Sequence, residues 1–554
     1  MVGARFAIKN VSLEPFDSIS DSVIIAAGKF EAVGRWDELA NAMSATDQIF
    51  DGQGATLIPG IDDSHLHGYM LGRQLTGVNV SPEACPDMAT INRRLQERAA
   101  QSSGWIRGFG WVSGVVIGSG PEGTPSYADL VASGVQRPII LTDFSGHQAW
   151  CNLAALQAAG ITATTANPVG GVIVRDASGE ATGLLLESAV KLVTEAIPKP
   201  SKAELKEALG ITSELLLSRG VTAYTEPGIG PGAASLDDGT ASLDVIDVYR
   251  EMAANGEFAQ RVDVMLLFGG LGGTTPEHVV SGLADFGQPE TRSAQQQIAV
   301  SQLKVFADGI PRSRTAWMSD PYDNHSHGSL TIAGGTDAER VSNLGEIFRH
   351  ATGLGWQVGI HATGDQAVSS IIDIAEQNPT AKSLRNYIIH ADLVKSTDFV
   401  RLAANGIGLN MQPPIRWGVG RNVESILGQS RFEKRLQLKN ILQNGINFAL
   451  SSDAPVSSPD WRQIIATAVD RSFRTEKNYS DGQGLTPLEA FTAMTQGAAY
   501  QSHADAWRGK IAPGYVADFV LLDDRINFSE AIWEISDRTP RAVGVAGQIR
   551  YGQL

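Results

Sequence analysis

Short apolar runs that end in a polar residue recur along the middle of the chain. VTAYTEP (221–227), RVDVMLLFG (261–269), SQLKVFADG (301–309), WQVGIHATG (356–364), NYIIHADLV (386–394), GIGLNMQPP (406–414) and INFALSSDAP (446–455) all have this form. Near-continuous apolar runs of this length predict strands buried on both faces. Between most of them lie stretches with apolar positions at helical spacing, such as AERVSNLGEIFRHATGLG (338–355). Adding the run that ends in PGIDDSHLHG (59–68) makes eight strands, the number that closes a (β/α)8 barrel. The predicted fold class is α/β, a TIM-like barrel.

The two ends have another texture. FAIKNVSL, SVIIAAGKF and EAVGRW at the start, and GKIAPGYVADFVLLDD and RAVGVAGQIRYG at the finish, read as short strands separated by turns. Residues 1–56 and 505–554 are therefore expected to form one small β-sandwich, with the barrel occupying 57–504. The first strand is separated from VTAYTEP by about 150 residues, far more than a normal βα connection. Residues 70–205 are predicted to be a subdomain inserted after the first barrel strand, over the active-site mouth.

Lys and Arg number 44 against 60 Asp and Glu, a formal charge of -16, which disfavours nucleic acid as a partner. Two cysteines, Cys85 and Cys151, exclude a disulfide framework and a cysteine-rich zinc site. No apolar stretch nears the roughly 18 residues of a membrane helix, and the N-terminus lacks a signal-peptide core. A cytoplasmic protein with no membrane partner is expected, and a homodimer is the default assembly.

In a (β/α)8 barrel the chemistry sits at the C-terminal ends of the strands. Those positions hold His65 and His67 on the first strand, Lys304 on the fourth, His361 on the fifth, His390 on the sixth and Asp453 on the eighth. Alternation along a strand would turn His65 and His67 to the same face. Each residue taken singly has a plainer reading. A lone H-x-H is usually incidental, His390 could be a core histidine, His361 could pair with Asp365, Lys304 could snorkel, and Asp453 could cap a turn. Their joint occurrence at strand ends favours a divalent, zinc-type site. Lys304 is a donor only and cannot ligate as an ammonium. Buried, it would favour its neutral form, which can add carbon dioxide to become a carbamate bridging two metals; the alternative is one metal with Lys304 as a nearby charge. The second H-x-H, His325 and His327 in DPYDNHSHGSL, lies in a polar loop and is treated as a decoy.

Together these motifs resemble the amidohydrolase superfamily, and within it the YtcJ-like branch that includes N-substituted formamide deformylases. The likeness runs through PGIDDSHLHG, LKVFADGIPRSRTA, HATGDQAV, IIHADLV, SSDAPV, the insert motif DFSGHQAWCN, and LTPLEAFTAMTQGAAY near the end. It departs from the usual pattern after PG, in IPRS, and in DFSGH. The resemblance implies one or two divalent ions, zinc foremost, on His65, His67, Lys304, His361, His390 and Asp453, with Lys304 carboxylated in the two-metal form. It implies hydrolysis of a small amide, N-acyl or N-formyl compound by metal-activated water, with Asp453 as general base and then acid. His147 and Arg314 are the candidate helpers for the oxyanion, and Trp111, Asp308 and Trp317 the candidate substrate contacts. Hydrolytic deamination, opening of a cyclic amide or lactone, and a non-catalytic regulatory relative are the rival readings.

Overall fold

A computed structural model of the protein describes residues 5–112, 118–143, 148–168, 171–187, 189–235, 241–270, 273–323, 325–477, 479–528 and 532–554. The chain divides into two compact units, one comprising Met1–Gly68, Ser213–Ala233 and Ala241–Leu554, the other Tyr69–Thr212 and Ala234–Thr240.

The first unit contains an eight-stranded parallel sheet in sequential order. Its strands are β1 (Ile61–Asp63), β2 (Val221–Ile229), β3 (Arg261–Leu266), β4 (Ile298–Phe306), β5 (Gln357–Ala362), β6 (Tyr387–His390), β7 (Gly408–Met411) and β8 (Phe448–Leu450). All eight coincide with the predicted apolar runs. Every residue of β2 and of β4 is buried, as strands covered on both faces require. The intervening helices follow from local signals. The helix Asp337–Gly353, for example, starts at a capping box in which Thr336 accepts from the Glu339 backbone and Glu339 reaches back to Thr336.

The seam between β8 and β1 is bridged just beyond the strand ends. Asp453 N–H donates to His65 O (2.8 Å) and His67 N–H to Ala454 O (2.9 Å). Below them Ser64 Oγ donates to Leu450 O (3.2 Å). The residues expected to carry the chemistry thus also close the barrel.

The termini supply two four-stranded sheets. One holds Phe6–Lys9, Ser22–Ala26, Lys29–Gly34 and Gln48–Asp51; the other holds Leu57–Pro59, Phe519–Leu522, Pro540–Val545 and Gln548–Gly552. Phe6, Ile8, Val23, Phe30, Leu57, Phe519 and Leu521 join them in one buried cluster. Leu57–Pro59 pairs antiparallel with Phe519–Leu522, so the terminal sheets take in three residues that the sequence boundary at 56 had given to the barrel. The change of sheet falls at Gly60, where a Cβ would lie 2.2 Å from Thr222 Oγ. Only glycine lets β1 pass β2 so closely.

In the second unit, six strands pair in one sheet, from Gly171–Arg175 at one edge to Val78–Asn79 at the other. The helix Met88–Gln101 buries Ile91 and Leu95 in a cluster with Ile106, Trp111, Ile139 and Trp150. No helix among the described residues is long and apolar enough to cross a membrane.

Candidate metal centre

Four of the six expected ligands, His65, His67, His390 and Asp453, converge, whereas His361 Nε2 lies 3.2 Å from Gly309 O. His65 Nε2 lies 3.3 Å and His67 Nε2 3.4 Å from Asp453 Oδ1. One ligand atom each from His65, His390 and Asp453 falls within 4.8 Å of the others. Ring centroids are 5.4 Å apart for His65 and His67, 5.8 Å for His65 and His390, and 4.6 Å for His361 and His390. Lys304 is buried on β4, its Nζ 4.8 Å from the centre of the Phe306 ring, and that ring packs 5.3 Å from His361.

His65 and His67 do not meet through strand alternation, because β1 ends at Asp63 and both lie in the segment beyond it. They are brought together by the backbone bonds across the seam and by their shared approach to Asp453. Asp63 contributes from below, its Oδ1 accepting from Ser452 N–H (3.0 Å). Two of the candidate ligands sit on left-handed backbone, His390 at φ 75° and Asp453 at φ 57°. Such conformations cost about 1 kcal/mol or more for a residue with a Cβ, and they concentrate at functional sites.

Burial dominates the electrostatics. It lowers His65 to about 3, with Lys304 adding to the effect, and lowers His361 to about 4. His390 is pushed well below its ordinary value, again chiefly by burial. These imidazoles are neutral at pH 7 and can donate lone pairs. Burial works to raise Asp453, but hydrogen bonds from His65 and His67 outweigh it and hold the carboxylate well below its usual range. Burial brings Lys304 down to about 7. His65 Nδ1 is buried without a hydrogen-bond partner among the described residues. Neutral imidazoles around an ionised carboxylate form the N/O donor set that suits a zinc-type divalent cation. The residues present fit the group that the sequence implied.

The remaining candidates fare differently. Arg314, proposed as an oxyanion helper, is taken up elsewhere: its Nε and a terminal nitrogen bind the two oxygens of Asp323 at 2.6 and 2.7 Å on a partly exposed loop. Asp308 is fully buried and accepts backbone N–H from Trp317, Thr363 and Gly364, each at 2.9 Å. It braces the loops after β4 and β5 instead of offering a substrate contact, and burial pushes its carboxyl up to about 7 against those donors. Trp111 is not a pocket wall. It is wholly buried in the core of the second unit, donating to Leu141 O (2.8 Å) and packing edge-on against Trp150. Trp317 is half-buried, with its carbonyl accepting from Gln366 N–H (3.1 Å). His147 lies outside the described residues. The second H-x-H is bound into its own loop, where His327 Nδ1 lies 3.1 Å from Met318 O.

The sequence reading missed the residues that support the ligands. His390 Nδ1 is 2.8 Å from Gln412 Oε1, and Gln412 is held by Asn410 and Ser451. The available signal was the alternation N-M-Q at 410–412, on the one late strand to which no chemistry had been assigned.

A (β/α)8 barrel carrying a histidine–carboxylate cluster at the C-terminal ends of its strands defines a class of metal-binding proteins. Residues 48–551 match the amidohydrolase family, and the chain belongs to that family. It is similar to the putative amidohydrolase YtcJ of Bacillus subtilis (strain 168), with 29% identity over 519 residues, covering 91% of this chain and 90% of that protein. It is also similar to the N-substituted formamide deformylase of Arthrobacter pascens, with 26% identity over 550 residues, 97% of this chain and 95% of the other. Among solved structures, an uncharacterized metal-dependent hydrolase from Pyrococcus horikoshii OT3 superposes with a TM-score of 0.76 at 21% identity, covering 96% of this chain and 99% of that one.

Proposed function

We propose that this member of the amidohydrolase family is a metal-dependent hydrolase that cleaves a non-peptide C–N bond, in an amide, N-acyl or N-formyl group, of a small molecule. The observation that carries the reading is the approach of His65, His390 and Asp453 to within 4.8 Å, with the histidines kept neutral by burial. His65, His67, His361, His390 and Asp453 would hold one or two divalent ions, zinc foremost. Such an ion supplies activated water at neutral pH and polarises the scissile carbonyl. Asp453, the carboxylate nearest both His65 and His67, takes the proton of the attacking water on its side-chain oxygen and returns it to the leaving nitrogen. Lys304, lowered to about 7, has enough neutral amine to add carbon dioxide and lose a proton, giving a carbamate that would serve as a further ligand. The two terminal sheets form a β-sandwich, and Trp317, half-buried on the loop after β4, shapes substrate preference.

The test is metal analysis of the purified chain, followed by a panel of N-formyl, N-acyl, carbamate and ring-amide compounds assayed with zinc or manganese. Bound divalent metal and turnover of an N-formyl or N-acyl member are expected. A metal-loaded protein that turns over none of the panel would remove the C–N reading.

A further inference from the structure

The side-chain amides beneath His390 form a chain with a fixed direction, and a backbone carbonyl sets that direction. A carbonyl oxygen only accepts, so the Gln501 group 3.0 Å from Ser64 O is its NH2. Gln501 Oε1 then faces Asn410, accepting from Asn410 Nδ2 at 2.8 Å. The same Nδ2 donates to Ser64 Oγ (2.8 Å), whose own hydrogen goes to Leu450 O. Asn410 is left with Oδ1 towards Gln412, and accepts there from Gln412 Nε2 and from Ser451 Oγ, each at 2.7 Å. Gln412 Nε2 also reaches Ser451 Oγ at 2.9 Å. Gln412 therefore presents Oε1 to His390 Nδ1 at 2.8 Å. An amide oxygen has no proton to give, so Nδ1 carries the hydrogen and Nε2 keeps the lone pair. Amide orientation is usually ambiguous. Here, turning over any one amide would set oxygen against oxygen or NH2 against NH2. Ser64, Asn410, Gln412, Ser451 and Gln501 are all buried, so water cannot repair such a fault.

We propose that Gln412 is the positioning residue that fixes the tautomer of His390, with Asn410, Ser451, Gln501 and the Ser64 carbonyl holding its amide in the required sense. The tautomer follows from the hydrogen bonds alone. Its use, presenting Nε2 to a cation, rests on the metal-centre reading above. The plain alternative makes Gln412 only a satisfied polar group inside the barrel.

The full chain labelled with [15N]histidine and stripped of metal tests the first part. Long-range 1H–15N spectra, with His390 assigned by its loss in His390→Asn, should show a neutral ring protonated on Nδ1. Protonation on Nε2 would overturn the proposal without any change at residue 412. Gln412→Glu still offers His390 an acceptor and should keep the Nδ1-protonated tautomer, at a cost in stability, because its second oxygen replaces the NH2 from which Asn410 Oδ1 accepts. Gln412→Met offers none; a second tautomer should appear and zinc affinity should fall about 10–100-fold, the range for loss of such a supporting bond. Asn410→Leu should weaken zinc binding less, and combining it with Gln412→Met should add little, because both act through one ring. A folded Gln412→Met chain with unchanged zinc affinity would sink the positioning role. A wild-type chain that binds no zinc would instead sink the metal-centre reading, and the tautomer measurement would still decide the hydrogen-bond chain.

Discussion

At the N-terminal ends of the barrel strands, Asp62, Asp263 and Asp518 are buried against Arg261, Arg292 and Arg508. Arg508 lies 2.8 Å from Asp62 and 3.3 Å from Asp263, Arg292 lies 2.6 Å from Asp263, and Arg261 lies 3.0 Å from Asp518. At the C-terminal ends, Asp453 is equally buried, and its ion-pairing contacts are to imidazoles. Guanidiniums are permanent cations, so the lower cluster balances its own charge. The upper cluster holds a carboxylate near the neutral rings of His65 and His390 and a lysine whose charge is half suppressed. Burial of ionisable groups alone therefore does not mark a site, since both ends have it. What marks the site is burial with the counter-charge missing, at the end of the barrel where the strands deliver their C-termini.

The contrast can be broken most sharply by Asp453→Asn. Turnover should fall by about 10^2–10^4-fold, the worth of a general acid–base group, while the circular dichroism spectrum stays that of a folded barrel. Substantial retained turnover would remove Asp453 from proton transfer. At the other end, Arg508→Met strips Asp62 of its guanidinium and leaves Asp263 with Arg292 alone. Unfolding in urea should then lose about 3–5 kcal/mol, with metal content per folded chain unchanged. Chelation addresses the upper end only. Removing metal held at about a hundredfold excess over its dissociation constant should cost about 2.7 kcal/mol, read as a lower melting temperature that zinc restores. If Arg508→Met and chelation lowered stability and turnover in the same proportion, the two ends could not be separate in role. Arg314→Ala should do least, leaving turnover unchanged, because its partner is Asp323 on an exposed loop; a large drop would return Arg314 to the reaction.

The barrel was legible because strands buried on both faces leave long apolar runs, and the candidate ligands were legible because they fall where such runs end. Asp308 was misread for a physical reason: a carboxylate that receives three backbone amides has the same sequence as one that touches substrate. The difference lies in the loop conformation. Trp111 shows the same limit for aromatics, since core and pocket use the same side chain. Gln412 escaped notice because its meaning depends on Gln501 and Ser64, which come from opposite ends of the chain. The segment Leu57–Pro59 was assigned to the barrel because its apolar run continues almost unbroken into β1, and only the pairing with Phe519–Leu522 separates them.

The seam between β8 and β1 joins residues such as Ser64 and Leu450, which are 386 positions apart. At about 5–20 residues per second, a ribosome needs roughly 20–80 s to make that interval. Once β2 has been made, β1 has it on one side and an open edge on the other until β8 arrives, an invitation to pair with other chains. The unit beginning at Tyr69 can fold early in the same period, whereas the half-built barrel must wait for its last strand. For this chain, synthesis itself is the exposed phase, and slowing translation before residue 448 should cost more soluble protein than slowing it after residue 455.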